Sequence, residues 1–544
     1  MSSKLKLLVP AIAAGTIAVG GGAAYYFLKV QPAQDVANPL TSFEVLPKET
    51  VAAGYFSLDD EKWKKASQFG TPEARDLILQ QWEEAKTNLE KNPPSGKELK
   101  FDEDIKPWLG SVTMAGVMDG ESSEMSLMLV VGIKDKLEAL KFATRQKDDA
   151  EDKVTISKFE GVDIYEFQGD APQFLALLDN HLVLSDKKAQ VESAIKVEKS
   201  GDSILKVADI SQALNETITV SNPVAVGFAN PAAIVDQVLN SDQATEFEEQ
   251  RKLLEDFKQY KAISGAWGIE NQGFRFKNVL KHTLDQKFQF DPLPGKIISR
   301  FPENTHALIH SGYFNKSWNL ILEEVEKDPN LKDEFEQFQQ NFKSTTQLDL
   351  KEDLFSWMDG EVGIGILPAN DGLLSQVGFG GAIAIQTSDR SKAEQTLSKL
   401  NTLAQSGGAE VKEATIEGVS MTQWGIPLQS SLVNYGWLDD STLLFAVGES
   451  TATTISKGAS PSIKDNGIFK NVTGSLGSKE QGLFFMNAQE ILATARSSPA
   501  VSTALLASPE VEAFLSSLEG IAMVGAQPNK NTVVGEALVT FTKQ

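Results

Sequence analysis

Two halves of this chain carry nearly the same text. LPKETVAAGYFSLDDEKW at residues 46–63 aligns without a gap to FPENTHALIHSGYFNKSW at 301–318, pairing Pro47 with Pro302, Thr50 with Thr305 and Trp63 with Trp318. DIKPWLGSVTMAGV from Asp104 then matches DLFSWMDGEVGIGI from Asp353, which sets Asp104 against Asp353 and Trp108 against Trp357. LMLVVGIKDK from Leu127 matches GAIAIQTSDR from Gly381. VTISKFEGVDIYEFQ from Val154 matches VKEATIEGVSMTQW from Val411, with Gly161 facing Gly418. Further pairs follow in the same order, the last setting AISGAWGIENQGFRFKNVL from Ala262 against GIAMVGAQPNKNTVVGEAL from Gly520. At 544 residues the chain is also too long for one core, because single cores stop growing at roughly 250–300 residues. The sequence therefore predicts one domain duplicated, a first repeat over 41–290 and a second over 291–544.

Within each copy, alternating apolar runs such as LMLVVGI and GAIAIQT read as strands. TPEARDLILQQWEEAKTNLEKNPP reads as a helix. Thr71 suits its cap and Pro72 its first turn, Ala74, Ile78, Ala85 and Leu89 form its buried stripe, and Pro93 and Pro94 stop it. In the second copy LKDEFEQFQQNFK places Leu331, Phe335, Phe338 and Phe342 on one face. Strands come in runs joined by tight turns such as FEGV, with helices between runs rather than after every strand. That order predicts an α+β fold, each repeat a mainly antiparallel sheet with helices packed on it.

From Leu7 to Leu28 the chain runs 22 residues without a charge, enough at about 1.5 Å per residue to cross a hydrocarbon core of about 30 Å. Lys4, Lys6 and the terminal amine outnumber Lys29, so the positive-inside bias keeps the N-terminus cytoplasmic and sends the body across. A cleaved signal peptide is the rival reading, with an apolar run from Leu7 to Val19 and small residues Gly22 and Ala24 before a cut. Both readings export the body. Residues 1–29 are thus expected to meet the lipid bilayer through 7–28, and VQPAQDVANPL at 30–40 reads as a short tether.

The chemistry of the body is defined mostly by what it lacks. With no cysteine, disulfides, thiolate zinc sites and iron–sulfur clusters are excluded. Fifty-one basic residues against 74 acidic ones leave a net charge of −23 and no Lys/Arg stripe, which argues against nucleic acid as a partner. His306 and His310 have a ligand-like spacing, but THALIHSGYF reads as a strand, so they are expected to be strand positions and not a metal pair. The acidic clusters Asp59/Asp60, Asp102/Glu103/Asp104 and Asp148/Asp149/Glu151/Asp152 lack the acid-and-glycine order of a calcium loop. Asp104 and Asp353 each precede a Trp, and read as capping a helical turn or accepting an indole hydrogen bond. No phosphate loop and no Gly-x-Ser-x-Gly elbow occurs. The expectation is a protein that is not an enzyme, with no catalytic residue, cofactor or metal. Its recurring positions (Pro47, Trp63, Asp104, Trp108 and Gly161 in one copy, Pro302, Trp318, Asp353, Trp357 and Gly418 in the other) are read as structural.

The basic-flanked anchor, the LP-x-x-T start, the D-x-x-x-W-L-G block and the F-E-G-V hairpin together resemble an uncharacterised family of cyanobacterial membrane proteins known as a domain of unknown function. The resemblance implies an envelope or thylakoid location with the body in the periplasm or lumen, and supplies no catalytic residues. The functional expectation is a membrane-anchored extracytoplasmic binding or scaffold protein, acting on a protein partner. A carrier or holdase for an apolar ligand such as lipid or pigment, or an unrecognised hydrolase, are the alternatives.

Overall fold

The protein is described from a computed structural model over residues 38–76, 80, 87, 90, 100–118, 125–147, 154–167, 173–240, 251–283, 291–326, 329–426, 431–477, 481–498 and 509–543. The expected anchor at 1–29, residues 30–37 of the tether, the helical positions Ile78, Ala85 and Leu89 with Pro93 and Pro94, and the acidic run at 148–152 lie outside the described residues. Among the described residues no helix is long and apolar enough to cross a membrane.

The chain divides into two compact units, Met1–Gln68 with Arg75–Leu284, and Phe69–Ala74 with Asp285–Gln544. The stretch Phe69–Ala74 therefore interrupts the first repeat expected over 41–290. It packs in unit 2, where the Phe69 ring stacks on Phe541 at 5.9 Å and Thr71 Oγ1 accepts from the Ala74 amide at 3.4 Å.

Unit 1 contributes β1 (Thr50–Ser57), β2 (Leu109–Met118), β3 (Met125–Ile133), β4 (Val154–Phe159), β5 (Val162–Phe167), β6 (Gln173–Leu178), β7 (His181–Ser185), β8 (Pro223–Ala229), β9 (Tyr260–Ile269) and β10 (Gly273–His282). They pair antiparallel in the order β4-β5-β6-β7-β3-β2-β1-β8-β9-β10. Unit 2 contributes β11 (Ala307–Gly312), β12 (Glu361–Pro368), β13 (Phe379–Gln386), β14 (Glu410–Ile416), β15 (Val419–Gly425), β16 (Ser431–Trp437), β17 (Thr442–Val447), β18 (Gly482–Asn487), β19 (Leu518–Asn529) and β20 (Thr532–Phe541). Their order is β14-β15-β16-β17-β13-β12-β11-β18-β19-β20, again antiparallel throughout. The protein is thus α+β with extensive antiparallel sheet.

Local chemistry explains the recurring residues. Glu160 and Gly161 sit at φ 47° and 87°, and Glu417 and Gly418 at 52° and 83°. Positive φ at both central residues makes the two-residue turn whose twist matches the flanking strands, and glycine takes the more demanding second place without strain. Phe101–Ile105 and Leu350–Phe355 are single π-helical turns. In each, an aspartate reaches back four residues: Asp104 Oδ2 accepts from the Lys100 amide at 3.0 Å, and Asp353 Oδ2 from the Asp349 amide at 2.8 Å. The indoles use the aspartates' backbone, since Trp108 Nε1 donates to the Asp104 carbonyl at 2.8 Å and Trp357 Nε1 to that of Asp353 at 2.9 Å. Both carboxylates therefore cap a turn, and neither receives the indole proton.

Helices pack on both faces of each unit's strands, and each face is covered only in part. On one face, helix α1 (Lys136–Lys147) of unit 1 buries Ala139 and Phe142 with Trp108, Leu129 and Val131. On the other, α2 (Lys188–Ser200) and α3 (Ala208–Thr217) bury Val191, Ile195, Ile210 and Leu214. In unit 2, α4 (Arg390–Ser406) buries Ala393 and Leu397 over Val362, Ile385 and Trp357. Helices α5 (Glu449–Ser456) and α6 (Gly467–Gly474) close the opposite core with Phe301, Leu308, Phe469, Val472 and Phe485. There Phe301 lies directly on the backbone of β12: a Cβ at Gly363 or Gly365 would meet its ring at 2.5 or 2.4 Å, so only glycine permits the approach.

Candidate binding site

The inner core of unit 2 is not filled to its edge. Between β11, β18 and α6 lies a cavity of about 510 Å³. Leu293, Ile298, Phe469 and Leu483 give it an apolar wall, and His310, Lys464 and Lys470 are its titratable groups. No described carboxylate lines it. The strands place His310 directly opposite Leu483. Asn466 starts α6 by accepting from the Phe469 amide at 2.9 Å, which brings Phe469 and Thr473, one turn apart, to the cavity side.

Behind the wall, Glu361 opens β12 with its side chain 2% exposed, and His310 is 1% exposed. Glu361 accepts from the Lys296 and Ile297 amides, both at 3.2 Å, and from His310 Nε2 at 3.0 Å. It thereby caps the 3₁₀ turn Ile297–Arg300, the same turn that carries Ile298 to the cavity. Burial alone would raise its pKa. The bonds from His310 and the two amides outweigh that and hold it below the ordinary carboxylate value. An ionised partner keeps the proton on Nε2, so Nδ1 is left as a buried ring nitrogen without a partner. The cavity's hydroxyl, Thr473 Oγ1, donates to the Phe469 carbonyl at 2.7 Å.

Unit 1 builds the same place differently. Tyr55 faces Thr113, and Ser57 faces Ser111, where His310 faces Gly363 and Gly312 faces Glu361. The gapless sequence match set Val112 against Glu361, whereas strand pairing sets Ser111 there. Sequence reasoning missed Glu361. The readable signal was an acid sharing the inward parity of Gly363, Gly365 and Leu367, next to a strand with an inward histidine.

The other expected residues are structural in placement. His306 is buried, with Nδ1 at 3.1 Å from the Asn304 carbonyl and Nε2 at 2.8 Å from Thr494 Oγ1. Four residues along extended backbone separate it from His310 by about 13 Å, too far to share one ion. Among the described residues no group of three His, Asp or Glu could hold a metal. Asp59 caps the helix Asp60–Ala66. Trp63 Nε1 donates to the Ser57 carbonyl at 2.8 Å, while the buried Trp318 Nε1 has no hydrogen-bond partner. Pro47 and Pro302 take part in matching isolated bridges, to Ser203 and Ser462.

His181, in unit 1, yields a pH prediction. Burial lowers its pKa to about 4, against a weaker opposing pull from Asp179. Below about pH 6.5 the unfolded chain takes up this proton and the folded one does not until about pH 4, so stability falls as pH drops through that window. The expected loss is about 3 kcal/mol. Urea midpoints between pH 7 and 4 should fall more, or rise less, in the native protein than in His181→Leu, since Glu198, raised to about 7 by burial, acts in the opposite sense in both; equal slopes would refute the assignment.

A second surface feature runs across unit 2's other face. Ile383, Ile364, Ile309, Phe484 and Met523 stand opposite one another on β13, β12, β11, β18 and β19. All but the half-buried Phe484 are exposed. Unit 1 exposes Phe56, Met114 and Trp267.

Comparison with known proteins places the chain only broadly. The family described as "Protein of unknown function (DUF3352)" matches residues 11–541. No curated protein matches. Among solved structures, crystal form III of TP0453 is 10% identical over 47% of this chain and 82% of that one, with a TM-score of 0.23. Crystal form IV is 8% identical over 44% and 79%, with a TM-score of 0.22. Likeness that low carries no argument about the site.

Proposed function

The chain belongs to the DUF3352 family of proteins of unknown function, and from that premise we propose that it is a membrane-anchored extracytoplasmic binding protein. It consists of two homologous α+β domains, and the second takes an apolar ligand into its cavity. The observation that carries the ligand reading is a largely apolar space of about 510 Å³ beside a buried histidine nitrogen without a partner. Pockets of roughly 300–1,000 Å³ with few polar groups suit small apolar ligands. The shared ancestry of the domains is supported by their common strand order. It is supported again by Thr50 and Thr305, each donating to the carbonyl of its proline, Pro47 or Pro302, at 2.7 Å. Residues 7–28 supply the anchor in this reading, in a cyanobacterial envelope or thylakoid membrane.

Gly474 offers the test, because it lines the cavity and a Cβ there meets nothing within 4 Å, so a larger side chain is expected to narrow the cavity without displacing the fold. Native mass spectrometry of the full chain should show a co-purifying small molecule that Gly474→Trp loses at unchanged melting temperature. A native protein free of ligand, with both proteins alike in added lipid extract, would sink the reading. A second reading, docking of a protein partner, is favoured by the exposed apolar row on β11–β13, β18 and β19, since large apolar patches on soluble surfaces mark interaction sites. Ile364→Lys should then abolish recovery of a stoichiometric partner while leaving ligand content unchanged.

A further inference from the structure

We infer that the cavity takes an amphiphile with an anionic head group, a carboxylate or a phosphate, seated at Lys464 and Lys470; this rests on the cavity being the ligand site. In a chain of net charge −23, anions meet a repulsive net field. The cavity is an exception, since its described lining includes two lysines and no carboxylate.

Neither lysine is neutralised by a tight ion pair. Lys464 Nζ gives one N–H to the Gly295 carbonyl at 2.9 Å, and an ammonium has three. Lys470 Nζ lies 4.0 Å from Asp465, beyond hydrogen-bond reach. Asp465 accepts from the Ser462 amide and hydroxyl at 3.0 and 3.3 Å through Oδ2, and it is Oδ1 that faces Lys470. Both lysines are exposed, whereas Phe469, adjacent to Lys470, is buried in the wall. A head group held by the ammonium groups thus leads its chain onto Phe469, Leu483, Ile298 and Leu293. The cationic rim belongs to unit 2 alone: counted from the bridging serines Ser203 and Ser462, unit 1 has Leu205 and Ser211 where unit 2 has Lys464 and Lys470.

The test uses the full chain in phosphatidylcholine nanodiscs and photoactivatable probes with identical dodecyl tails. Their heads are carboxylate, phosphate, hydroxyl or trimethylammonium, and labelled peptides are mapped by mass spectrometry. One or both anionic probes should label the segment around Phe469 or Leu483 at about tenfold lower concentration than the alcohol or the cation. Preference for carboxylate assigns a fatty-acid-like source, and preference for phosphate a phospholipid-like one. Lys464→Met with Lys470→Met should remove the difference at unchanged melting temperature, and Gly474→Trp should remove labelling by every probe. Equal labelling by all heads overturns the anionic inference and leaves the cavity as a site. Absence of cavity labelling by any probe overturns the site itself.

Discussion

Glu361→Ala is expected to cost unit 2 about 3–5 kcal/mol, because it leaves three donors at a buried site without their acceptor. Three donors lose their acceptor together: His310 Nε2 and the amides of Lys296 and Ile297. Each unsatisfied buried group carries a penalty of about 1–3 kcal/mol. Glu361→Gln retains one carbonyl acceptor and should fall between. The pH sign follows from the depressed carboxyl pKa. The contribution is present above the unfolded value, about 4.3, and is lost as pH falls through the lower folded value. Guanidinium titration at pH 7 and below pH 4 checks both points. A loss under about 1 kcal/mol at pH 7 would show that Glu361 does not organise the turn under the cavity.

The second large effect concerns the twin tryptophans. Trp108 and Trp357 are 1% and 2% exposed, and each donates its indole proton to the turn before it. Truncation to alanine empties a core site and should cost about 3–5 kcal/mol in either case. If the halves are separate domains, calorimetry resolves two transitions, Trp108→Ala lowering one and Trp357→Ala the other. Both variants shifting one common transition would contradict that separation.

Much of this architecture could be read in advance, and the reason is periodicity. The runs LMLVVGI and GAIAIQT alternate because strands show side chains to two faces, and E-G between two such runs specifies its turn through backbone sterics alone. Gly161 and Gly418 were therefore legible. The π-helical turns were not, because one extra residue in a turn changes no periodic signal. The excursion of Phe69–Ala74 into unit 2 depends on long-range packing that no local window contains. The cavity was harder still. Glu361 stands at a strand's first residue, where a charge ordinarily marks the step into solvent. Only pairing with β11 and the approach of Lys296 and Ile297 turn it inward. Lys464 and Lys470 looked like any solvated lysines until the turn Ile463–Asp465 and α6 set them at the cavity.

Phe301 pressing on Gly363 and Gly365 has a consequence for which substitutions this contact admits. At the corresponding positions unit 1 carries Leu46, Thr113 and Ala115, a smaller hydrophobe with larger strand residues. The larger ring faces the two glycines, and the smaller Leu46 goes with the larger strand residues. Transplanting Phe alone to position 46, or Ala alone to position 365, should overfill its new home, while the combined Phe301→Leu and Gly365→Ala exchange should be tolerated. Positions 301, 363 and 365 therefore constrain one another, and a change at one is admitted only with a compensating change at another.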